Sequence, residues 1–353
     1  MTGVKHAIAW GRHDPDYVRN RVMRQALQDL GWSVSNFRPH VSSLGDLEAV
    51  LRGVPRPDLV WLPGFRQRDA AAAHRWCRRR NVPLMFDPLI SAYAKQVFER
   101  GKYAPGSAQA ERLRRREARQ FGMADLLLAD TRSHADFFAE TFGILPARIR
   151  VVPLGAEEPL FRPMTPANHP DAPFEILFYG SFLALHGVET IVRAACQYQG
   201  PPVRWHFLGN GSARAACEKI ATGRPDVVFE DRKPHGELPV AISLSDLVLG
   251  VFGTTPQAER AISNKVFQAL ACGRPVLTRT SRAYPDGATE SGGLLLIPPG
   301  DSDALAQAVA TLARDRAGMM ARNRAARTLF EAHFSRAKIA TALGAALEGV
   351  LGR

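Results

Sequence analysis

Two glycine-bearing loops hold the most specific chemistry in the chain. Gly180-Ser181 follows an apolar run and His186-Gly187 opens an amphipathic one, a strand–loop–helix layout that Gly209 and Gly211 repeat. A diphosphate is held by backbone N–H groups at helix N-termini together with one or two cations, and glycines let it approach the backbone. The GxG at 209–211 lacks the third glycine of the dinucleotide fingerprint and also suits an ordinary tight turn. Asp87 follows a short apolar run, where a carboxylate could orient or deprotonate a hydroxyl or could cap the next helix. Arg12, His13 and Asp14 follow the first apolar run in the same way. Asp14-Pro15-Asp16 and Asp301-Ser302-Asp303 look like metal-binding DxD pairs, but the second reads better as a helix cap before 304–312. His134 reads as a helix-start residue with Ser133 as its cap.

Placing these groups requires parallel strands behind them, and the pattern supplies two sets. In the first part, strands are expected at 6–10, 32–37, 59–62, 83–86, 126–129 and 150–152, with helices at 19–30, 68–79 and 133–142. Five prolines within 156–173 exclude a long helix or a central strand and mark a linker. The alternation then restarts, with strands at 174–179, 203–208, 227–230, 247–251, 275–278 and 293–297 and helices at 187–197, 213–221, 238–244, 264–272 and 303–315. Residues 318–351 are helical and Ala-rich. The expected organisation is a domain over 1–155, the linker 156–173, a second domain over 174–330 and a final segment 331–353. Two doubly wound α/β domains of this kind would face each other across a ligand cleft.

Composition narrows the setting. At 353 residues, 46% hydrophobic and 23% charged, the chain is in the ordinary globular range. No apolar run reaches the roughly 18 residues a membrane-spanning helix needs, and no signal-peptide pattern opens the chain. Four separated cysteines with no CxxC indicate neither a zinc site nor a disulfide framework, so a reduced cytoplasmic setting is expected. The charge is uneven: 25 basic and 15 acidic residues fall in 1–155, against 21 and 19 in the remainder. Such asymmetry marks the half that meets an anionic partner, unless it is a plain solvated face. Helical spacing puts Arg112, Arg115, Arg116 and Arg119 on one stripe. Trp76, among Arg75, Arg78, Arg79 and Arg80, suits a lipid headgroup interface.

Several blocks together resemble family-4-type glycosyltransferases. They are Val152-Pro153-Leu154-Gly155-Ala156 with Phe161-Arg162-Pro163; 176–182 continuing through His186-Gly187-Val188-Glu189-Thr190-Ile191; Phe207-Leu208-Gly209-Asn210-Gly211; Phe252-Gly253-Thr254; Arg260 through Val276; and Ile297-Pro298-Pro299-Gly300-Asp301. Order and spacing agree over roughly 150–315. The resemblance implies a GT-B fold, two Rossmann-like domains around a central cleft, and metal-independent hexosyl transfer from a nucleotide-diphosphate sugar, UDP- or GDP-linked, with retention of configuration and no cofactor. It also implies that the last helix, after Phe330, crosses back to the first domain. Donor-binding positions are then Gly180, Ser181, His186, Gly187, Gly209, Gly211, Arg260, Asn264, Lys265 and Gln268, and the acceptor side holds Arg12, His13, Asp14 and Asp87.

The departures from the family pattern carry information too. Many relatives hold Arg and Lys in the 180–187 loop, where this chain has Ser181 and His186. Many also hold two glutamates eight positions apart, where it has Arg260 and Gln268. Read together, Arg260 and Lys265 take over neutralisation of the diphosphate, and Gln268 bonds a ribose hydroxyl without charge. For Lys265 the alternative is an exposed helix cation, and for Arg260 a surface pair with Glu259. Asp87, Arg260 and Lys265 are therefore the candidate catalytic residues. The acceptor is expected to be lipid-linked or part of a surface polysaccharide, with the arginine stripe docking the protein on the inner face of the plasma membrane. Nucleic acid or protein as acceptor would suit the same charge, and a nucleotide-binding module without catalysis would suit the missing acidic pair.

Overall fold

A computed structural model describes residues 4–164 and 172–351. Pro166 and Pro170 of the expected linker lie outside the described residues. The chain divides into two units: the first runs to Leu154 and resumes at Arg336, and the second is Gly155–Ser335.

The first unit runs β1 (His6–Trp10), α1 (Val18–Asp29), β2 (Ser33–Phe37), α2 (Gly45–Leu51), β3 (Leu59–Leu62), α3 (Ala70–Arg80), β4 (Leu84–Phe86), α4 (Ala92–Ala94), α5 (Ala108–Gly122), β5 (Leu126–Ala129), α6 (Arg132–Phe142) and β6 (Ile149–Val151). Its inner strands β3, β4 and β5 are short apolar runs because a parallel sheet is covered on both faces, whereas the edge strands β2 and β6 are partly exposed. Among the described residues they form one parallel sheet in the order β2-β1-β3-β4-β5-β6. One face packs Trp10, Phe37, Phe86, Phe121 and Phe138 beneath α2, α3, α5 and α6. The other packs Met23, Leu27, Trp61 and Leu128 beneath α1 and the final helix.

In the second unit come β7 (Phe174–Tyr179), α7 (Val188–Gln197), β8 (Val203–Leu208), α8 (Arg214–Ile220), β9 (Val227–Glu230), α9 (Leu238–Ser243), β10 (Leu247–Leu249), α10 (Pro256–Arg260), α11 (Asn264–Ala271), β11 (Val276–Arg279), β12 (Leu294–Ile297), α12 (Ser302–Arg314) and α13 (Met319–His333). The described strands lie in the order β12-β11-β10-β7-β8-β9, all parallel. The chain leaves β7 toward β8 and β9, then returns to the other side at β10. That reversal opens a crevice beyond the carboxyl ends of β7 and β10, the place where open α/β sheets bind ligands. Its walls are therefore the loops 180–187 and 250–253.

The terminal helix α14 (Arg336–Leu351) belongs to the first unit, where Ile339, Leu343 and Leu347 are buried against α1 and Arg336 pairs with Asp29. The helix before it, α13, stays with the second unit through Phe334, whose ring meets Phe267 at 4.9 Å. The chain therefore changes unit between Ser335 and Arg336 rather than after residue 330.

Two local expectations are overturned. Trp76 is only 1% exposed, with its ring 5.5 Å from that of Trp10. On α3 it shares the inward face with Ala72, Ala73 and Cys77 while Arg75, Arg78 and Arg79 point out, so it is a core residue and touches no headgroup. Thr131, not Ser133, caps α6 by accepting the His134 N–H, and His134 is buried with its ring against the Asp130 carboxylate. Asp301 does cap α12, through the Ala304 N–H.

Candidate active site

The crevice of the second unit is built from four segments. Gly180 follows β7, Gly250 follows β10, the turn 184–186 crosses between loops, and α11 delivers Lys265. Lys265 is 4% exposed. Its Nζ lies 4.0 Å from the centre of the Phe178 ring and 3.4 Å from the Gly250 carbonyl. A Cβ added to Gly180 would sit 3.4 Å from that same Nζ, so the missing side chain leaves the ammonium its space. Among the described residues no carboxylate pairs with it. Burial brings the ammonium down from 10.5 to about 7. An unpaired buried cation is costly, and an anion arriving beside it recovers that cost.

His186 stands next to this ammonium. Its Nδ1–H donates to the Ser181 carbonyl, which cannot itself donate, so Nε2 carries a lone pair. Burial and the nearby Lys265 hold the imidazole at about 3, which keeps it neutral at physiological pH. Ser263 takes the N-cap position of α11, but its buried hydroxyl makes no cap bond and has no hydrogen-bond partner among the described residues. Asn264 opens the helix and is half-buried. Arg260 closes α10, whose turn packs against 184–186. Glu259 is engaged with Arg279 and accepts the Arg282 N–H.

The glycines of these loops also meet a packing demand. A Cβ on Gly187 would lie 2.5 Å from the Gly253 nitrogen, and the residue also has φ +63°. On Gly209 a Cβ would strike the Gly180 carbonyl, and on Gly211 the Phe182 backbone. The Phe252 N–H donates to the His186 carbonyl at 3.0 Å. These glycines let the crevice loops close on one another, backbone to backbone. Only at Gly180 does the vacated space adjoin a functional group.

Gln268 is buried, and its Oε1 accepts the Tyr179 hydroxyl at 2.8 Å. Its oxygen is thus already engaged by β7. Phe178 and Tyr179, the platform for Lys265 and the partner of Gln268, escape a reading of the sequence because they sit inside a strand that looks like plain core.

In the first unit the acceptor-side candidates separate. Asp87 is fully buried and bound through both oxygens by Arg19, at 2.7 and 3.3 Å. Arg19 also donates to the Val152 and Pro153 carbonyls at 2.8 Å each. Burial pushes the Asp87 carboxyl up and the guanidinium draws it back. A carboxylate so enclosed cannot take a proton from a hydroxyl; it ties β4 to α1, and the general-base reading of Asp87 is withdrawn. The signal was available, since Arg19 shares its helix face with Val22, Met23 and Ala26 and so had to be buried. His13 is buried too, donates from Nδ1 to the Gly11 carbonyl at 3.1 Å, and lies below its ordinary value through burial. Arg12 and Asp14 are exposed, and Asp14 accepts the Asp16 N–H at 2.9 Å in a local turn.

Arg112, Arg115, Arg116 and Arg119 are all exposed on α5. Glu117 between them faces inward and accepts from Ser91 Oγ and the Ala92 and Tyr93 N–H groups.

Residues 173–315 match the family described as glycosyl transferases group 1, and residues 6–155 match the glycosyl transferase 4-like domain. A D-inositol 3-phosphate glycosyltransferase of Catenulispora acidiphila is 26% identical over 238 residues, 59% of this chain and 55% of that protein. The chain thus matches about half the length of that relative. In fold, it is similar to Anabaena HepE solved with UDP, at 15% identity and TM-score 0.73 over 98% of this chain and 100% of the other. Sucrose-phosphate synthase from Thermosynechococcus elongatus matches at 18% identity and TM-score 0.76, over 99% and 100% of the two chains.

Proposed function

Because the chain belongs to the family-4-type glycosyltransferases of GT-B fold, we propose that it transfers a hexosyl group from a nucleotide-diphosphate sugar to an acceptor hydroxyl with retention of configuration. The observation that carries this reading is the buried Lys265 ammonium at the β7–β10 crevice, which has no carboxylate partner among the described residues. A diphosphate is the anion that the family's donors would bring. Lys265 and Arg260 then hold the negative charge that grows on the leaving nucleotide, a task assigned to them rather than to a metal. Asn264, at the first turn of α11, adds the positive end of the helix. Neutral His186 offers its Nε2 lone pair to a sugar hydroxyl, and its Nδ1 bond to Ser181 fixes the ring for that role. UDP as the nucleotide carrier is supported by the UDP complex of the HepE neighbour.

The acceptor is taken to be lipid-linked or part of a surface polysaccharide, met at the cytoplasmic face of a membrane. Support comes from the exposed arginines of α5 and the excess of basic residues in 1–155. A donor panel tests the reading: UDP- and GDP-sugars are added singly, binding is followed by thermal shift, and products by mass spectrometry. A nucleotide-diphosphate sugar should raise the melting temperature and be consumed when acceptor is supplied. If no nucleotide diphosphate at millimolar concentration shifts the transition, the reading fails.

A further inference from the structure

The outer side of α2 carries an apolar stripe that no described part of the chain covers. Val41, Leu44, Leu47 and Val50 are each about half exposed, and Leu51 is 86% exposed. Leu44, Leu47, Val50 and Leu51 recur at helical spacing and line one side. The opposite side holds Gly45, Asp46 and Ala49, buried against the sheet and α3. Isolated exposed leucines are ordinary, but five large apolar side chains within 41–51 make a contiguous patch of the kind that marks an interaction site.

Charge decides the occupant. Both carboxylates of α2 are ion-paired, Asp46 on the buried side and Glu48, half-buried, beside Leu44 and Leu51. Asp46 is held by Arg75 and Arg79 at 2.7 and 3.1 Å, and Glu48 by Arg52 and His40 at 3.1 and 2.7 Å. Next in the same helical layer comes α3, where Arg75 and Arg79 outweigh the one carboxylate they share and Arg78 is exposed beside them, and then α5 with its four exposed arginines. A second copy of this chain would bring the same arginines against these. Nucleic acid would leave the leucines without a partner. An anionic bilayer satisfies both, taking aliphatic groups at the acyl boundary and cations at the headgroups.

We propose that the Val41–Leu51 stripe inserts into the interfacial layer of an anionic phospholipid bilayer, with the arginines of α3 and α5 on the headgroups. The inference rests on the reading that the first unit docks on an anionic membrane, and adds an apolar, salt-resistant component to it. Salt screens the arginines but not buried aliphatic surface.

The test is sedimentation of the full chain with vesicles of phosphatidylcholine and phosphatidylglycerol, at low and high salt. The wild type should stay partly bound at high salt. The triple variant Leu44→Ser, Leu47→Ser, Leu51→Ser should lose at least tenfold in high-salt binding, with an unchanged melting temperature because the sites are exposed. Replacing Arg112, Arg115, Arg116 and Arg119 by glutamine should instead remove mainly the low-salt component. Insertion is read directly with Leu47→Trp, whose added indole emission should be quenched by brominated lipid; the five native tryptophans are all buried and stay dark to it. A Leu47→Trp variant that brominated lipid leaves unquenched, or a triple variant that binds as the wild type does, overturns the insertion while leaving electrostatic docking standing. A wild type that ignores vesicles at every salt overturns the docking reading as well. A dimer without lipid that the triple variant converts to monomer assigns the stripe to a second copy instead.

Discussion

Replacing Lys265 by methionine is expected to stabilise the protein and weaken its hold on the donor. Burial brings the ammonium from 10.5 to about 7. At about 1.36 kcal/mol per pH unit, the folded state carries roughly 4–5 kcal/mol of desolvation cost at neutral pH. Methionine forgoes the nitrogen's contacts with the Gly250 carbonyl, 3.4 Å away, and with the Phe178 face, 4.0 Å away, together about 2 kcal/mol. Methionine fills a similar volume and keeps contact with the ring, so a net gain of roughly 2–3 kcal/mol remains. The unfolded lysine holds its proton up to 10.5 and the folded one only to about 7, so the penalty is complete below pH 7 and fades as pH rises toward 10.5. The advantage of Lys265→Met should follow the same course. At roughly 2–4 °C per kcal/mol for a unit of this size, scanning calorimetry near pH 7 should show a rise of roughly 5–10 °C in the second unit's transition. Titration with UDP should show affinity falling by at least about tenfold, the loss of one charge-assisted contact. A variant no more stable than the wild type, with UDP affinity intact, would refute the reasoning.

Three other outcomes follow from the same geometry. Wild-type donor affinity, measured by calorimetry between pH 5 and 9, should weaken above pH 7 as Lys265 loses its proton, with no inflection near 6.5 because His186 is held at about 3. Asp87→Asn should lower stability by about 3–5 kcal/mol in urea denaturation by breaking the buried pair with Arg19, while kcat of the folded fraction changes little; a large kcat loss at unchanged stability would restore the base role. Gln268→Leu should cost about 1 kcal/mol by leaving the buried Tyr179 hydroxyl only its 3.4 Å bond to the Lys265 carbonyl, whereas Gln268→Glu keeps the nearer acceptor, a contrast that urea midpoints resolve.

Much of the fold was legible because buried parallel strands read as continuous apolar runs bounded by turn residues, as at 59–62 and 126–129. Helix α2 escaped notice because its leucines face outward, so its pattern promises no core face. Trp76 misled because flanking arginines hid its phase on α3. Within the site, Gly180, His186 and Lys265 were legible from local order, since each sits at the junction of a strand or helix with its loop. Their partners were not. Arg19 meets Asp87 across 68 positions and Tyr179 meets Gln268 across 89, and such pairings exist only once the sheet has formed. The crowding of Gly187 against Gly253 is likewise a consequence of two loops meeting and leaves no mark beyond the glycines themselves.

The measurement that bears most directly on the role of Lys265 is proton uptake on UDP binding at pH 8, from calorimetry in buffers of different ionisation enthalpy. The last phosphate proton of UDP, with a pKa of about 6, is already gone at that pH. The free lysine, at about 7, is mostly neutral there and must be recharged to face a diphosphate. The account predicts uptake of about 0.9 proton per site in the wild type and none in Lys265→Met. Tight UDP binding with no proton uptake by the wild type would contradict it.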